Sequence, residues 1–313
     1  MRPALGSGLA TSEGALWRRQ RRLIQPPFTH SSVLRLGTQI AEALDSALSY
    51  WDRTVSARRA IAINREMAHL SLAVLLRTIF GTDLGANARP ILEATMEVGS
   101  FLNRRLASFV DIPLAVPTPA NRRFNKALQG FDTSIAQLVQ ARRSRRDAST
   151  DLLGALLSAR DSETGMEMSD RQIRDEVFTI LLAGHETVAL GLTWAWYLLA
   201  HHPRVEDRLQ AELAARLAGR TPAVEDLPAL PYTRMVLEEA MRLYPPIWAV
   251  PRAALADDEI AGYHFPAGSL IFASQFLAHR HPDFWESPAT FDPERFAPDS
   301  AERARRAYFP YGE

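Results

Sequence analysis

Ala183-Gly184-His185-Glu186-Thr187 sets a glycine, a carboxyl and a hydroxyl within about one helical turn, in the middle of a long apolar stretch. Glycine inside a helix costs about 1 kcal/mol relative to alanine. Threonine can turn its hydroxyl onto a carbonyl one turn earlier and loosen the ladder. Together they can open a groove where a small ligand lies against backbone, with a buried Glu186 as proton source. Taken singly, a glycine and a threonine in a helix are more often packing residues.

Glu239-x-x-Arg242 puts two opposite charges on one helical face. A surface pair of this kind is worth little, and Glu302-x-x-Arg305 has the same form. The first pair differs in its setting among Val236, Leu237, Met241 and Leu243, which predicts burial. A buried pair needs further partners, and Arg295 is the candidate third member. Trp17-Arg18-Arg19-Gln20-Arg21-Arg22 places an indole N–H and a guanidinium, Trp17 and Arg21, four residues apart. Both groups only donate, which suits a carboxylate acceptor. Arg18 and Arg22 share the adjacent face and are expected to be exposed. A solvated basic helix gives the same pattern.

The elements that must position these residues read as mainly helix with a small β portion. Apolar periodicity predicts helices over 31–56, 61–80 and 120–145, the last following a turn at Pro113, Pro117 and Pro119 and ending in the basic run Arg142–Arg146. The longest helix spans about 170–202. It opens with a Ser169/Gln172 capping box and stops at Pro203. Pro203 then starts a helix to 218, closed by Gly219, and another runs over 232–244 until Pro245-Pro246. Residues 259–265 and 269–274 flank Pro266-Ala267-Gly268 and read as a short hairpin. Helices first and a little sheet later exclude an alternating βαβ fold.

Composition narrows the chemistry. The 313 residues are 47% hydrophobic and 23% charged with a formal net charge of zero, so no global charge recommends nucleic acid. Of the 36 basic residues only Lys126 is lysine, an arginine bias read as genome composition. No glycine-rich dinucleotide or phosphate loop is present, so NAD, flavin and ATP sites have no support. There are no cysteines, which excludes disulfides, cysteine-ligated zinc and iron–sulfur clusters within the chain. No secretory signal opens the sequence. Val177–Ala200 is long enough to span a bilayer, but His185 and Glu186 inside it favour a buried helix and a cytoplasmic protein without a transmembrane segment.

The three motifs, in this order, resemble the cytochrome P-450 superfamily of heme-thiolate monooxygenases. Tyr244-Pro245-Pro246, Pro251-Arg252, Pro266-Ala267-Gly268, His279-Arg280-His281-Pro282 and Pro293-Glu294-Arg295-Phe296 extend the resemblance over essentially the whole chain. It implies an incomplete cytochrome P-450 fold, residues 1–313 being one partial domain that lacks N-terminal strands and helices and the C-terminal ligand loop. The cofactor implied is heme b, with Trp17, Arg21 and Arg252 on its propionates and Ala183 and Gly184 beside it. Thr187 would help deliver protons during oxygen activation, with Glu186 in the relay and His185 a spectator. Glu239, Arg242 and Arg295 would form a folding triad, and Ile180, Ile247, Trp248 and Val250 would line an apolar substrate pocket.

The reaction implied inserts one atom of dioxygen into an apolar organic substrate. Electrons would come from a separate ferredoxin or flavin reductase docking on Arg18, Arg19 and Arg22. The family holds its iron by a cysteine thiolate, and no residue here can supply it. The resemblance places the ligand loop just beyond Glu313, so the chain by itself is expected to be inactive. The alternative is a non-catalytic remnant that cannot bind heme through a thiolate. For a histidine ligand the nearest candidates are His279 and His281, and no motif aims either at iron.

Overall fold

The longest helix among the described residues, α9, contributes to both compact units of the chain. In this computed structural model residues 2–81, 87–106, 112–145, 151–298 and 307–311 are described. Arg146, Glu302 and Arg305 lie outside the described residues. Helix α9 runs from Asp170 to His201, and its capping box forms as expected. The Ser169 N–H donates to Gln172 Oε1 at 3.0 Å and the Gln172 N–H to Ser169 Oγ at 3.3 Å. By length and composition α9 could cross a membrane, yet it supplies buried residues to both hydrophobic cores described below.

The chain divides into two compact units, residues 1–61 with 68–186 and residues 62–67 with 187–313. Among its described residues the regular structure of the first is helical, with one isolated bridge, Arg160 to Glu167. It contains α1 (Arg2–Leu5), α2 (Gly14–Ile24), α3 (His30–Leu34), α4 (Gly37–Ser56), most of α5 (Ile63–Phe80), α6 (Ala88–Leu106), α7 (Pro119–Arg145), α8 (Leu152–Ser158) and the first half of α9. The helix expected over 31–56 is thus broken at Arg35-Leu36, where the Leu36 N–H bonds back to Val33 O and closes a turn. Helices α6 and α8 carried no sequence expectation. Pro90 in the first turn and Gly99 in the middle obscure α6 as a helical pattern. Seven-residue α8 depends on Asp151, whose Oδ1 accepts from the Gly154 N–H and whose Oδ2 pairs with Arg142, each at 2.8 Å.

The core of this unit joins Leu72, Phe80, Ile91, Val98, Phe124, Phe131, Leu156, Ile173, Val177, Phe178 and Leu181. Phe131 and Phe178 pack with ring centroids 4.3 Å apart and planes tilted by 37°. Each fully buried side chain of this size stabilises the fold by roughly 1.5–3 kcal/mol.

The second unit holds the rest of α9, α10 (Pro203–Leu217), α11 (Pro231–Leu243), two small sheets and α12 (Gln275–Ala278). Proline opens both α10 and α11 at the first helical position. Leu230 gives α11 no side-chain cap. Glu212 on α10 does that work instead, accepting from the Tyr232 and Thr233 N–H groups at 2.7 and 2.8 Å. The core comprises Ala195, Leu198, Leu199, Met235, Val236, Leu243, Trp285, Phe291 and Phe296.

The expected hairpin across 266–268 does not form. Strand β1 (Val250–Ala253) pairs antiparallel with β4 (Leu270–Ala273), and β2 (Asp258–Ile260) pairs with β3 (Tyr263–Phe265). The tight turn is Ala261-Gly262, with φ of 52° and 82°. Two consecutive positive φ values match the twist of a two-residue hairpin, so residues 259–265 fold on themselves. Residues 270–273 return to pair with 250–253.

Candidate functional site

On α9 the Gly184 position is a point of close approach. A Cβ there would lie 3.0 Å from Leu75 Cδ2 on α5, so glycine is what admits α5. One turn earlier on α5, buried Ser71 donates its hydroxyl to the His185 carbonyl at 2.8 Å and to that of Gly184 at 3.3 Å. Helix carbonyls that accept an outside donor need less from their own ladder. Sequence reasoning missed Ser71, because nothing about a lone serine shows which helix it faces. His185 is half-buried, and burial pushes its imidazole below the usual range, with the Ala68 backbone and Glu186 opposing. That surrounding gives it a packing role.

Ile180, Ala183, Thr187 and Leu190 fall on one face of α9 at helical spacing. Ala183 and Leu190 are exposed there, and Ile180, Glu186 and Thr187 are half-exposed. In the first unit Ile180 also lines a cavity of about 480 Å³ with Leu23, Phe28, Leu75, Ile79 and Leu152.

Helix α2 carries Trp17 and Arg21, both exposed. The neighbouring arginines are not alike, and Arg22, expected to be exposed, is half-buried. Arg22 donates Nε to Asp161 Oδ1 at 3.0 Å and pairs with Glu163 at 2.9 Å. Arg19 donates to the Glu167 carbonyl at 3.0 Å and retains only 18% side-chain exposure. Asp161 is buried, and the Arg22 and Thr164 donors hold its carboxyl below the usual range. Arg19 and Arg22 therefore fasten α2 to the turn before α9, and Arg18 is the exposed charge of the three.

In the second unit, exposed Ile247 and Trp248 precede β1, which begins at Val250. The Trp248 carbonyl accepts from Ser274 Oγ at 3.0 Å and the Phe276 N–H at 3.2 Å. Arg252 is exposed on β1, and one of its donors reaches the Pro251 carbonyl at 3.0 Å.

Glu239, Arg242 and Arg295 come together. Both Glu239 and Arg242 are fully buried. Arg242 donates Nε and Nη2 to the two Glu239 oxygens at 2.6 and 2.8 Å. Its remaining donors reach the carbonyls of His279 (2.7 Å), Pro288 (2.9 Å) and Thr290 (3.1 Å). Burial pushes the Glu239 carboxyl up, and Arg242, the Asp292 N–H and Arg295 pull it back. Arg295 Nε lies 3.4 Å from Glu239 Oε1, while its Nη2 donates to the Ser287 carbonyl at 3.0 Å. A guanidinium with every donor engaged ties 279–290 to α11. Arg234–Glu238 on the same helix, at 3.4 Å and exposed, is the weak surface form of the same spacing.

His279 has no exposed surface, and its Nε2 accepts from the Phe309 N–H at 3.0 Å. Exposed His281 lies 3.8 Å from Asp283.

These observations bear on a heme. The donor pair Trp17 and Arg21 matches a carboxylate-bearing group, and the α9 face of small and apolar residues matches a flat apolar one. The iron's thiolate has no counterpart among residues 1–313. Those residue types on a mainly helical fold are what a heme-binding oxygenase needs.

Comparison with known proteins agrees. The sequence matches the family described as cytochrome P-450 over residues 1–313. It is 36% identical to cyclooctatin synthase of Streptomyces melanosporofaciens and 35% identical to pentalenene oxygenase of Streptomyces avermitilis, covering 99% of this chain and 68% of each relative. The crystal structure of the cytochrome P-450DA heme domain superposes with a TM-score of 0.88 at 28% identity, over 100% of this chain and 69% of that one. A retinoic acid-bound cyanobacterial member gives 0.84 at 25% identity. The chain belongs to the cytochrome P-450 family, whose members are heme-dependent monooxygenases.

Proposed function

We propose that the enzyme hydroxylates an apolar, sparsely functionalised carbon skeleton, and that residues 1–313 are the part of one domain carrying the proton relay and the propionate donors. Heme b, when bound, supplies the iron at which dioxygen is activated, one oxygen atom entering the substrate and the other leaving as water. The chain's own residues hold, exclude and protonate. Trp17, Arg21 and Arg252 hold the propionates by charge-assisted hydrogen bonds. Exposed Ala183 leaves room against the α9 backbone, whereas the space at Gly184 is taken by Leu75 of α5. Glu186 takes protons from solvent and the Thr187 hydroxyl passes them on, so that both protons needed for water arrive on one path. Ile180, Ile247, Trp248 and Val250 shape the pocket and exclude solvent. Glu239, Arg242 and Arg295 fix the second unit's irregular segment.

The observation that supports this reading is the α9 face of Ile180, Ala183, Thr187 and Leu190, with Gly184 fitted to Leu75 and the His185 carbonyl to Ser71. The substrate class follows relatives named for an alkene, pentalenene, and for an unsaturated alcohol, cyclooctat-9-en-7-ol, the latter 35% identical. We further propose that a ferredoxin or flavin reductase, docking near exposed Arg18, delivers electrons and that the enzyme is cytoplasmic. By itself the 313-residue chain does not turn over, because it has no thiolate.

The test uses the full-length heme-loaded enzyme with isotopically labelled dioxygen and an alkene or alkenol. One labelled atom should enter the product. Label from water instead, or none, sinks the reading. Thr187→Ala should lower product formed per electron pair consumed, with substrate affinity unchanged.

A further inference from the structure

His279 is bound at both ends to different parts of the second unit. Its carbonyl accepts from Arg242 Nη1 at 2.7 Å, inside the Glu239 cluster. Its ring, wholly buried, accepts the Phe309 N–H on Nε2 at 3.0 Å. The rings of Tyr308 and Phe309 pack against the imidazole with centroids 5.3 and 5.2 Å away. One residue therefore joins the buried ion pair to the segment Ala307–Tyr311.

The chemistry fixes the protonation state. An Nε2 that accepts from an amide carries no proton, so the ring is the neutral Nδ1–H tautomer. Nδ1 is buried and lies against the backbone of Met241 and Arg242 on α11, which favours a proton there. The charged groups facing it are Arg242, with Glu239 behind it on α11, and the adjacent Arg280. Burial, with both guanidinium groups adding to it, pushes the His279 pKa down to about 4. Tyr308, also pushed up by burial, stays neutral beside it. An aliphatic residue would fill the same volume but leave the Phe309 N–H buried and unsatisfied, which is the costly outcome.

We propose that His279 is a positioning residue, a neutral imidazole that sets the Phe309 amide, and with it the Tyr308–Tyr311 segment, in register with the Glu239–Arg242–Arg295 cluster. The proposal rests on the family assignment. Phe309-Pro310-Tyr311 resembles the opening of the family's ligand loop, so His279 fixes the direction from which the thiolate segment departs. Nothing in the sequence marks the link, since positions 279 and 309 are thirty residues apart.

The experiment compares the full-length heme-loaded enzyme with His279→Leu and His279→Gln. Three readouts are taken: hydrogen exchange at the Phe309 amide, exchange at the Asp292 amide that donates to Glu239, and the carbon monoxide spectrum. In His279→Leu the Phe309 amide should exchange about tenfold faster, as expected for one lost buried hydrogen bond. The Asp292 amide should be unchanged, and a larger share of the heme should give a non-thiolate spectrum. His279→Gln, whose Oε1 can take the place of Nε2, should restore both. Phe309 exchange at the wild-type rate in His279→Leu overturns the proposal. So does equal impairment of both variants with the Asp292 amide loosened in step. If His279→Leu does not fold, nitrogen NMR of the wild-type histidines decides: the Nδ1–H tautomer supports the proposal and the Nε2–H tautomer ends it. Failure of the family assignment looks different, because the wild-type enzyme would then give no thiolate spectrum.

Discussion

The Ser71 hydroxyl stands 2.8 Å from the His185 carbonyl, reaching from α5 to the stretch of α9 where glycine and threonine interrupt an otherwise apolar helix. This contact joins two helices through residues 114 apart in sequence.

Removing that donor should be felt without loss of the fold. Ser71→Ala should cost about 1 kcal/mol, read as a lower urea midpoint with an unchanged slope. Gly184→Ala should cost about 1–3 kcal/mol through overpacking on Leu75, partly offset by the better helix propensity of alanine. Combining it with Leu75→Ala should cost less than the sum of the single changes. Strict additivity would mean that Leu75 is not what excludes a side chain at 184.

The Arg242–Glu239 pair and the Arg234–Glu238 pair allow a comparison within one helix. Arg242→Ala leaves a buried carboxylate uncompensated and should destabilise by about 3–5 kcal/mol. Arg234→Ala should change stability by less than about 1 kcal/mol. Arg242→Lys should behave like Arg242→Ala, because an ammonium cannot reach two carboxylate oxygens and three carbonyls at once. A lysine variant as stable as wild type would refute the five-bond picture.

Glu176 gives a pH dependence. It is fully buried on α9, its Oε2 accepts the Leu9 N–H at 2.9 Å, and burial raises its pKa to about 7. Asp175 beside it adds to the rise, against the Leu9 N–H. Between the ordinary carboxyl range and pH 7 the folded chain holds this proton and the unfolded chain does not. Stability therefore falls as pH rises through that window, by up to about 3 kcal/mol for this group. Glu176→Gln should flatten the slope, measured by denaturation at pH 5 and pH 8. An unchanged slope would locate the effect elsewhere.

The α2 arginines separate docking from structure. Arg18→Glu should slow reduction of the full-length enzyme more at low salt than at high salt and leave its melting temperature alone. Arg22→Glu should lower the melting temperature by setting a carboxylate against Asp161 and Glu163. If Arg22→Glu changes only the reduction rate, its ion pairs contribute nothing.

Much of this was legible in the chain. Helix α9, its capping box, the proline-started α10 and the Glu239–Arg242 pairing follow from local rules: periodicity, caps and spacing act within a few residues. The strand pairing did not follow. A proline and a glycine at 266–268 looked like the turn, while the positive φ at Ala261 that sets the real one is uncommon for alanine. The engagement of Arg19 and Arg22 was not legible for a related reason. A basic helix reads as solvated until the acids that face it, Asp161 and Glu163, are brought from about 140 residues away.

The sequence by itself determined the family, the mainly helical class and which residue types could hold a heme and move a proton, because each signal lies within a turn or two of chain. Only the tertiary structure decided which of those groups are already engaged: Arg22 on Asp161, Ser71 on His185, His279 on Phe309. Contacts of that kind depend on long-range packing, and no local pattern records which distant partner a buried donor or acceptor finds.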